Sequence, residues 1–432
     1  MHESLFEKVE VSGNVLRYVP SEALVRKRVF RQALFFDYDG PVGEALGSMP
    51  ASIVWSPGLF NVAPLVWAFG LTLSVPFRHR PMEEGLERIR AKLRQFYPSM
   101  PWDGRLVFEG EEEQEGAFPG AMALYSGGLD AVHTVYRHFD ERPELLFLDF
   151  VGTSDDFRRD SVLLAEGFAR AHDLPLTRVV TNLWGFIDRN RLAYPALRAI
   201  GQNWWTGVQY GLGMTSAAAP AAYAKRAGTV YYASSFNEDF NVAGGSDPEL
   251  EGNMAWPGSR VVHDSFDRTR QRKIEAMAAN RPIASVRPYL QVCHGPLDGL
   301  LNCGTCEKCL RTMAGLLIEG EQPADWGFDA DQATALRRIE EAFAAKRLTI
   351  LGSHKFMWTD MRQRAAKSSK CPPELAQWFA DLDLEPHYRR SLRRSQLLAL
   401  IRQLGLPGVG NLMRTVSRAR RRLSHRRAIS SS

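Results

Sequence analysis

Ser126-Gly127-Gly128-Leu129-Asp130 follows an apolar run of strand length, residues 121–125, and precedes a stretch of helical character, residues 132–139. Two glycines let a backbone come close to a ligand and take positive φ. The N–H groups of a first helical turn are unpaired and carry the positive end of the dipole. A turn of this kind suits a phosphate or pyrophosphate. The plain alternative is an ordinary glycine-rich strand–helix turn. Arg270 and Lys273 open a later helix, where basic residues oppose the dipole unless an anion is near. They are candidate partners for the same phosphates, with an exposed helical face as the alternative.

A second group can bind metal. Cys293, Cys303, Cys306 and Cys309 are spaced C-x9-C-x2-C-x2-C. Four thiolates at such spacing match tetrahedral zinc in a closed structural site, and Gly304 allows the backbone to turn its N–H groups toward sulfur. Iron–sulfur clusters use similar runs, and a catalytic cysteine pair is the third reading. A compact group of four fits the zinc knot best. Cys371, beside Pro372-Pro373, reads as a bystander.

Elements alternating strand and helix must position these groups. A continuous apolar run at residues 144–150 and strands at 176–181 and 229–235 are separated by helical patterns at 156–172 and 204–227, the latter interrupted by Pro220. Repeated βα units imply an α/β fold with a doubly wound parallel sheet. Ligands in such sheets sit beyond the carboxyl ends of the strands. That rule places Ser126, Asp149, Asn182 and Ser234-Ser235 on one rim, with Asn182 as a further nucleotide contact. Residues 236–260 form a long irregular stretch leaving this rim. They read as a substrate-covering loop, with Asp239, Asp247 and Glu249 as candidate contacts.

Upstream, residues 1–115 read as a separate α+β domain. It comprises a hairpin turning at Ser12-Gly13-Asn14, a strand at 33–38, an apolar core segment at 64–75 and an amphipathic helix at 82–96. Asp37 and Asp39 stand in a stretch that looks like the aspartate loop of haloacid dehalogenase-type phosphatases. The residues that follow do not continue that pattern, and an Asp-Gly turn explains the same letters. The nucleotide domain then spans 116–320, a helical region 321–384, and an Arg-rich tail 385–432.

The chain has 432 residues and a net charge of +5, but twelve arginines lie beyond residue 384, so the remainder is acidic. Such a tail attracts nucleic acid or an acidic protein partner, or serves as a disordered solubilising segment. The longest apolar stretch contains Pro64, Gly70 and Pro76 and reads as buried structure, not a membrane span. Clustered cysteines without a disulfide pattern point to a reducing, cytoplasmic setting.

The turn resembles the pyrophosphatase loop of the PP-loop ATP pyrophosphatases, Ser-Gly-Gly-x-Asp-Ser, with Ala131 in place of the last Ser and Thr134 as a possible substitute hydroxyl. Together with the later C-x9-C-Gly-x-C-x2-C, it resembles the 7-cyano-7-deazaguanine synthase family over about residues 120–318. Larger synthase-like relatives share the stretch from Asn302 to Met313. The resemblance implies a HUP-type (adenine nucleotide alpha hydrolase-like) fold, ATP with Mg2+, and one structural Zn2+. It also implies activation of a carboxylate, a 7-carboxy-7-deazaguanine or related acid, as an acyl-adenylate attacked by ammonia or another amine. Ser126, Gly127, Gly128, Leu129 and Asp130 would then hold ATP phosphates and Mg2+, and the four cysteines the zinc. Two other classes remain open: an RNA-modifying sulfur transferase of the same loop family, and a non-catalytic nucleotide-binding module. A homodimer is a further expectation.

Overall fold

The computed structural model describes residues 3–112, 115–189, 191–293 and 301–403. The chain divides into two compact units, Met1–Asp267 and Arg268–Ser432.

In the first unit, strands β1 (Glu3–Ser4), β5 (Thr72–Val75) and β6 (Arg105–Phe108) pair in parallel as a small sheet in the order β1-β5-β6. The main sheet has nine strands in the order β11-β12-β10-β7-β8-β9-β4-β3-β2. They are β2 (Phe6–Ser12), β3 (Val15–Pro20), β4 (Leu34–Tyr38), β7 (Gly120–Tyr125), β8 (Glu144–Phe150), β9 (Leu176–Thr181), β10 (Ala227–Ala233), β11 (Ala255–Trp256) and β12 (Ser259–Asp264). The run β12-β10-β7-β8-β9 is parallel throughout. Helices cover both faces of these strands. Neighbours Tyr231 and Tyr232 point to opposite sides, one stacked on His138 after the helix Leu129–Arg137, the other bonded to Tyr210 of the helix Tyr210–Ser216. The α/β fold with a parallel sheet is therefore present.

The boundaries differ from the sequence reading. β4, β3 and β2 do not build a separate N-terminal domain. They continue the main sheet as antiparallel strands beyond β9. One face of this extension carries Leu16, Tyr18, Phe36 and Tyr38, all buried. The helix Ala51–Ala68 covers it: Tyr18 donates to the Val54 carbonyl at 2.6 Å, and Gly58 leaves room for the Tyr18 ring. This helix is apolar and long enough to cross a membrane, but 89% of it is buried inside the fold. Asn61 and Gln209 join it to the segment that leads into the helix Tyr210–Ser216 through a buried hydrogen bond of 2.7 Å. Local patterning predicts the hairpin of β2 and β3 and the strand β4 but carries no information on which sheet recruits them.

β12 lies within and just beyond the stretch expected to be irregular. Residues 236–260 are pinned instead of free: Gly211 N–H donates to the Gly245 carbonyl, Gly245 N–H to Thr206, and Arg88 to the Asn253 side chain. Asp247 caps the short helix Pro248–Glu251 and accepts from Asn241, while Asp239 accepts from Asn237.

The second unit is helical. It contains Arg270–Ala279, Glu307–Ile318, Gln332–Ala344, Gly352–Ala365, Pro373–Asp381 and Glu385–Gln403. Asp331 caps its helix as the sequence suggests, accepting from Thr334 N–H at 2.8 Å. Phe343, Trp358, Trp378 and Phe379 pack as its aromatic centre. The unit boundary at 267/268 replaces the expected one at 320/321, because the cysteine segment belongs with these helices. Residues 385–403 are helical and not a loose tail, and the rest of the Arg-rich tail lies outside the described residues.

Candidate functional site

β7 lies inside the parallel run, between β10 and β8, and its side chains are buried apart from half-buried Leu124. At its carboxyl end the chain turns at Ser126, which is exposed, and Gly127 takes φ +71°. A side chain there would be forced into the left-handed region. Gly128 is the N-cap of the helix Leu129–Arg137 in extended conformation, and its N–H donates to the Ser126 hydroxyl at 3.4 Å. Asp130 is in the first turn, half-buried, and close enough to Tyr210 that its charge adds to the burial that raises the Tyr210 phenol. Ser126, Gly127, Gly128, Leu129 and Asp130 therefore form one continuous strand–helix junction at the rim where α/β sheets bind ligands.

Ala131 is buried, and Thr134 is not a substitute phosphate donor. Its hydroxyl is fully buried and donates to Asp264 Oδ2 at 2.7 Å. Asp264, at the end of β12, also accepts from Ser265 at 2.6 Å and bonds His138 at 3.1 Å. Burial works to raise the Asp264 carboxyl, but these hydrogen bonds outweigh it and hold the group well below the usual carboxylate range. His138 is the complement: burial lowers it, while hydrogen bonds to Asp264 and Glu141 raise it above the ordinary imidazole value. This network ties the helix of the turn to β12. No sequence pattern announces it, because Thr134 and Asp264 lie 130 positions apart.

Asn182 is placed on the rim but does not face a ligand. Its Oδ1 accepts from Phe35 N–H at 2.9 Å and its Nδ2 donates to the Ala33 carbonyl at 2.8 Å. The amide anchors the antiparallel extension to β9. Asp149 is likewise consumed by Arg158 and Arg178, which together hold it below its ordinary value against the effect of burial. Asp37 lies mid-strand in β4, and Asp39 accepts from Arg178 N–H, so neither ends a parallel strand as a phosphatase nucleophile would. Arg270 and Lys273 open the helix Arg270–Ala279 of the second unit, Lys273 being buried.

The cysteine group is brought together inside the second unit. Sγ atoms of Cys293, Cys303, Cys306 and Cys309 all lie within 4.8 Å of one another. Cys306–Cys309, Cys303–Cys309 and Cys293–Cys306 are separated by 3.4, 3.8 and 3.9 Å. Sulfurs about 2.3 Å from a tetrahedral ion stand about 3.8 Å apart, so the donor set fits a metal ion such as zinc. Gly304 at φ +65° makes the turn, and Cys306 N–H points at Cys303 sulfur at 3.4 Å. Within the group, hydrogen bonds from Cys293, Cys306 and Cys309 push the Cys303 thiol far down, while bonds to Cys293 and Cys303 raise Cys306 and Cys309.

Asn302 braces this centre. Its Oδ1 accepts from Val292 and Cys293 N–H groups, and its Nδ2 donates to the Leu290 and Gly327 carbonyls. Behind the knot, Glu307 is held by Arg311 at 2.7 Å and Trp358 at 3.0 Å. Searches for known proteins that resemble the chain found no matching family model, no matching curated protein and no matching solved structure.

Proposed function

We propose that the protein is an ATP-dependent adenylating enzyme of the PP-loop type, with a HUP-like sheet and a structural zinc. The observation that carries this reading is the turn from Ser126 to Asp130, which joins a central parallel strand to a helix start with Gly127 in the left-handed region. The N–H groups of the first helical turn would donate to the β and γ phosphates, where charge accumulates as pyrophosphate leaves. Asp130 would hold the accompanying Mg2+, which supplies charge neutralisation at those phosphates. In the reaction, an oxygen of the acid attacks the α-phosphorus and the bond to the β-phosphate bridge breaks. Ammonia or another amine then attacks the activated carbonyl and AMP departs. No covalent enzyme intermediate is required.

The acid proposed is a carboxylate of the deazaguanine kind, on the strength of the joint resemblance of turn and cysteine spacing. A reducing cytoplasmic setting, inferred from the clustered cysteine spacing, is part of the same proposal. A homodimer, and capture of nucleic acid or an acidic protein by the Arg-rich tail, belong to the same proposal. Exchange of labelled pyrophosphate into ATP, run with candidate carboxylates, tests it. Acid-dependent exchange is expected in the wild type and a loss of at least about a hundredfold in Asp130→Ala. Exchange untouched by that substitution rejects the assignment.

A further inference from the structure

Next to the turn, the same rim carries a row of aromatic side chains that the nucleotide loop does not use. Phe150 ends β8, and Trp184 stacks on it with ring centroids 4.7 Å apart and planes inclined by 13°. Trp205 meets Trp184 edge-on at 6.3 Å, and Tyr210 meets Trp205 edge-on at 5.7 Å. The row thus runs from the ends of β8 and β9 toward Tyr210, whose phenol feels the Asp130 charge. Trp184 remains 37% exposed, although a tryptophan packed among aromatics is ordinarily well buried.

Two independent features mark this row as a subsite. Trp205–Gln209 is a π-helical turn, a rare irregularity found mostly at functional sites. Arg189 lies with its guanidinium 5.2 Å from the Trp205 ring and donates to the Trp184 carbonyl. It has no carboxylate partner among the described residues, while burial and the neighbouring Arg31 lower its pKa. A guanidinium carries five N–H donors in a fixed fork, and those not given to the Trp184 carbonyl can meet an oxyanion. An aromatic platform with such a cation beside it selects a flat ring that bears negative charge.

We propose that Trp184, with Phe150 and Trp205 behind it and Arg189 at its edge, binds a planar aromatic ring carrying an anionic group. The source of that ring is either the base and phosphates of a nucleotide or an aromatic carboxylate. Its assignment to a substrate rests on the adenylating reading of the turn.

Equilibrium binding to the full chain tests the subsite with two probes, ATP with Mg2+ and indole-3-carboxylate. At least one is expected to bind the wild type, and Trp184→Ala and Arg189→Ala are each expected to weaken it about tenfold. Trp184→Phe keeps a ring and is expected to retain most of the affinity, which separates stacking from misfolding. A response of ATP assigns the ring to the nucleotide, and a response of indole-3-carboxylate assigns it to the acid. Failure of both probes to bind, or full affinity in both alanine variants, overturns the subsite. Asp130→Ala run alongside separates the two proposals. ATP binding lost there, with both probes untouched at Trp184 and Arg189, removes the subsite and leaves the turn. Indole-3-carboxylate binding lost at Trp184, with ATP indifferent to Asp130, does the reverse.

Discussion

His138 lies between Asp264 and Glu141, and both carboxylates favour its charged form. Its folded pKa is raised, so its stabilising contribution is complete below the ordinary imidazole value of about 6.5 and is lost as pH climbs through the folded value. Urea midpoints of wild type and His138→Gln between pH 5.5 and about 8.5 test this: the difference between them should shrink toward alkaline pH. A constant or growing difference contradicts the assignment. At this scale the sequence is a partial guide. Ser126, Gly127 and Asp130 are legible because neighbouring letters build the turn. Thr134 and Asn182 are not, since their partners Asp264 and Phe35 come from distant strands. A polar residue on a rim reads as a ligand contact until the strand that claims its hydrogen bonds is known.

The cysteine segment shows what an element can disclose by itself. Three of its ligands follow within seven positions and the fourth is ten residues upstream, so spacing alone predicts the cluster. Asn302 is a different matter. Its side chain bonds four backbone groups, three in residues 290–293 and one at Gly327, and an Asn before a Cys carries no such message in the sequence. Asn302→Ala leaves buried amide and carbonyl groups without partners and should cost about 3 kcal/mol. The check is metal content together with thermal unfolding. One zinc per chain in the wild type, with faster chelator-driven loss in the variant, is expected. Unchanged metal retention would place the brace elsewhere. The pinned segment 236–260 makes the opposite point: a stretch rich in Asn, Asp and Gly reads as a free cover, yet hydrogen bonds to Thr206, Gly211 and Arg88 fix it.

For the whole molecule, patterning identifies the α/β class but misplaces the joints. Alternating strands at the N-terminus satisfy a small module and a sheet extension equally well. Only pairing of β4 with β9, and burial of the helix Ala51–Ala68 between that extension and the helix Tyr210–Ser216, decide for the extension. Residues 1–115 are therefore not separable. A fragment of residues 116–432 would expose the edge of β9 and the apolar surface opposite that helix. It should bind a hydrophobic dye and lose cooperative unfolding, whereas a fragment that unfolds like the full chain would restore the modular reading.

Direct titration of ATP with Mg2+ against the full chain and its Asp130→Ala variant tests the central claim, that the turn after β7 holds a nucleotide's phosphates. The wild type is predicted to bind ATP, with affinity at least about tenfold weaker in the variant. Absence of ATP binding in the wild type, or equal affinity in both proteins, would contradict it.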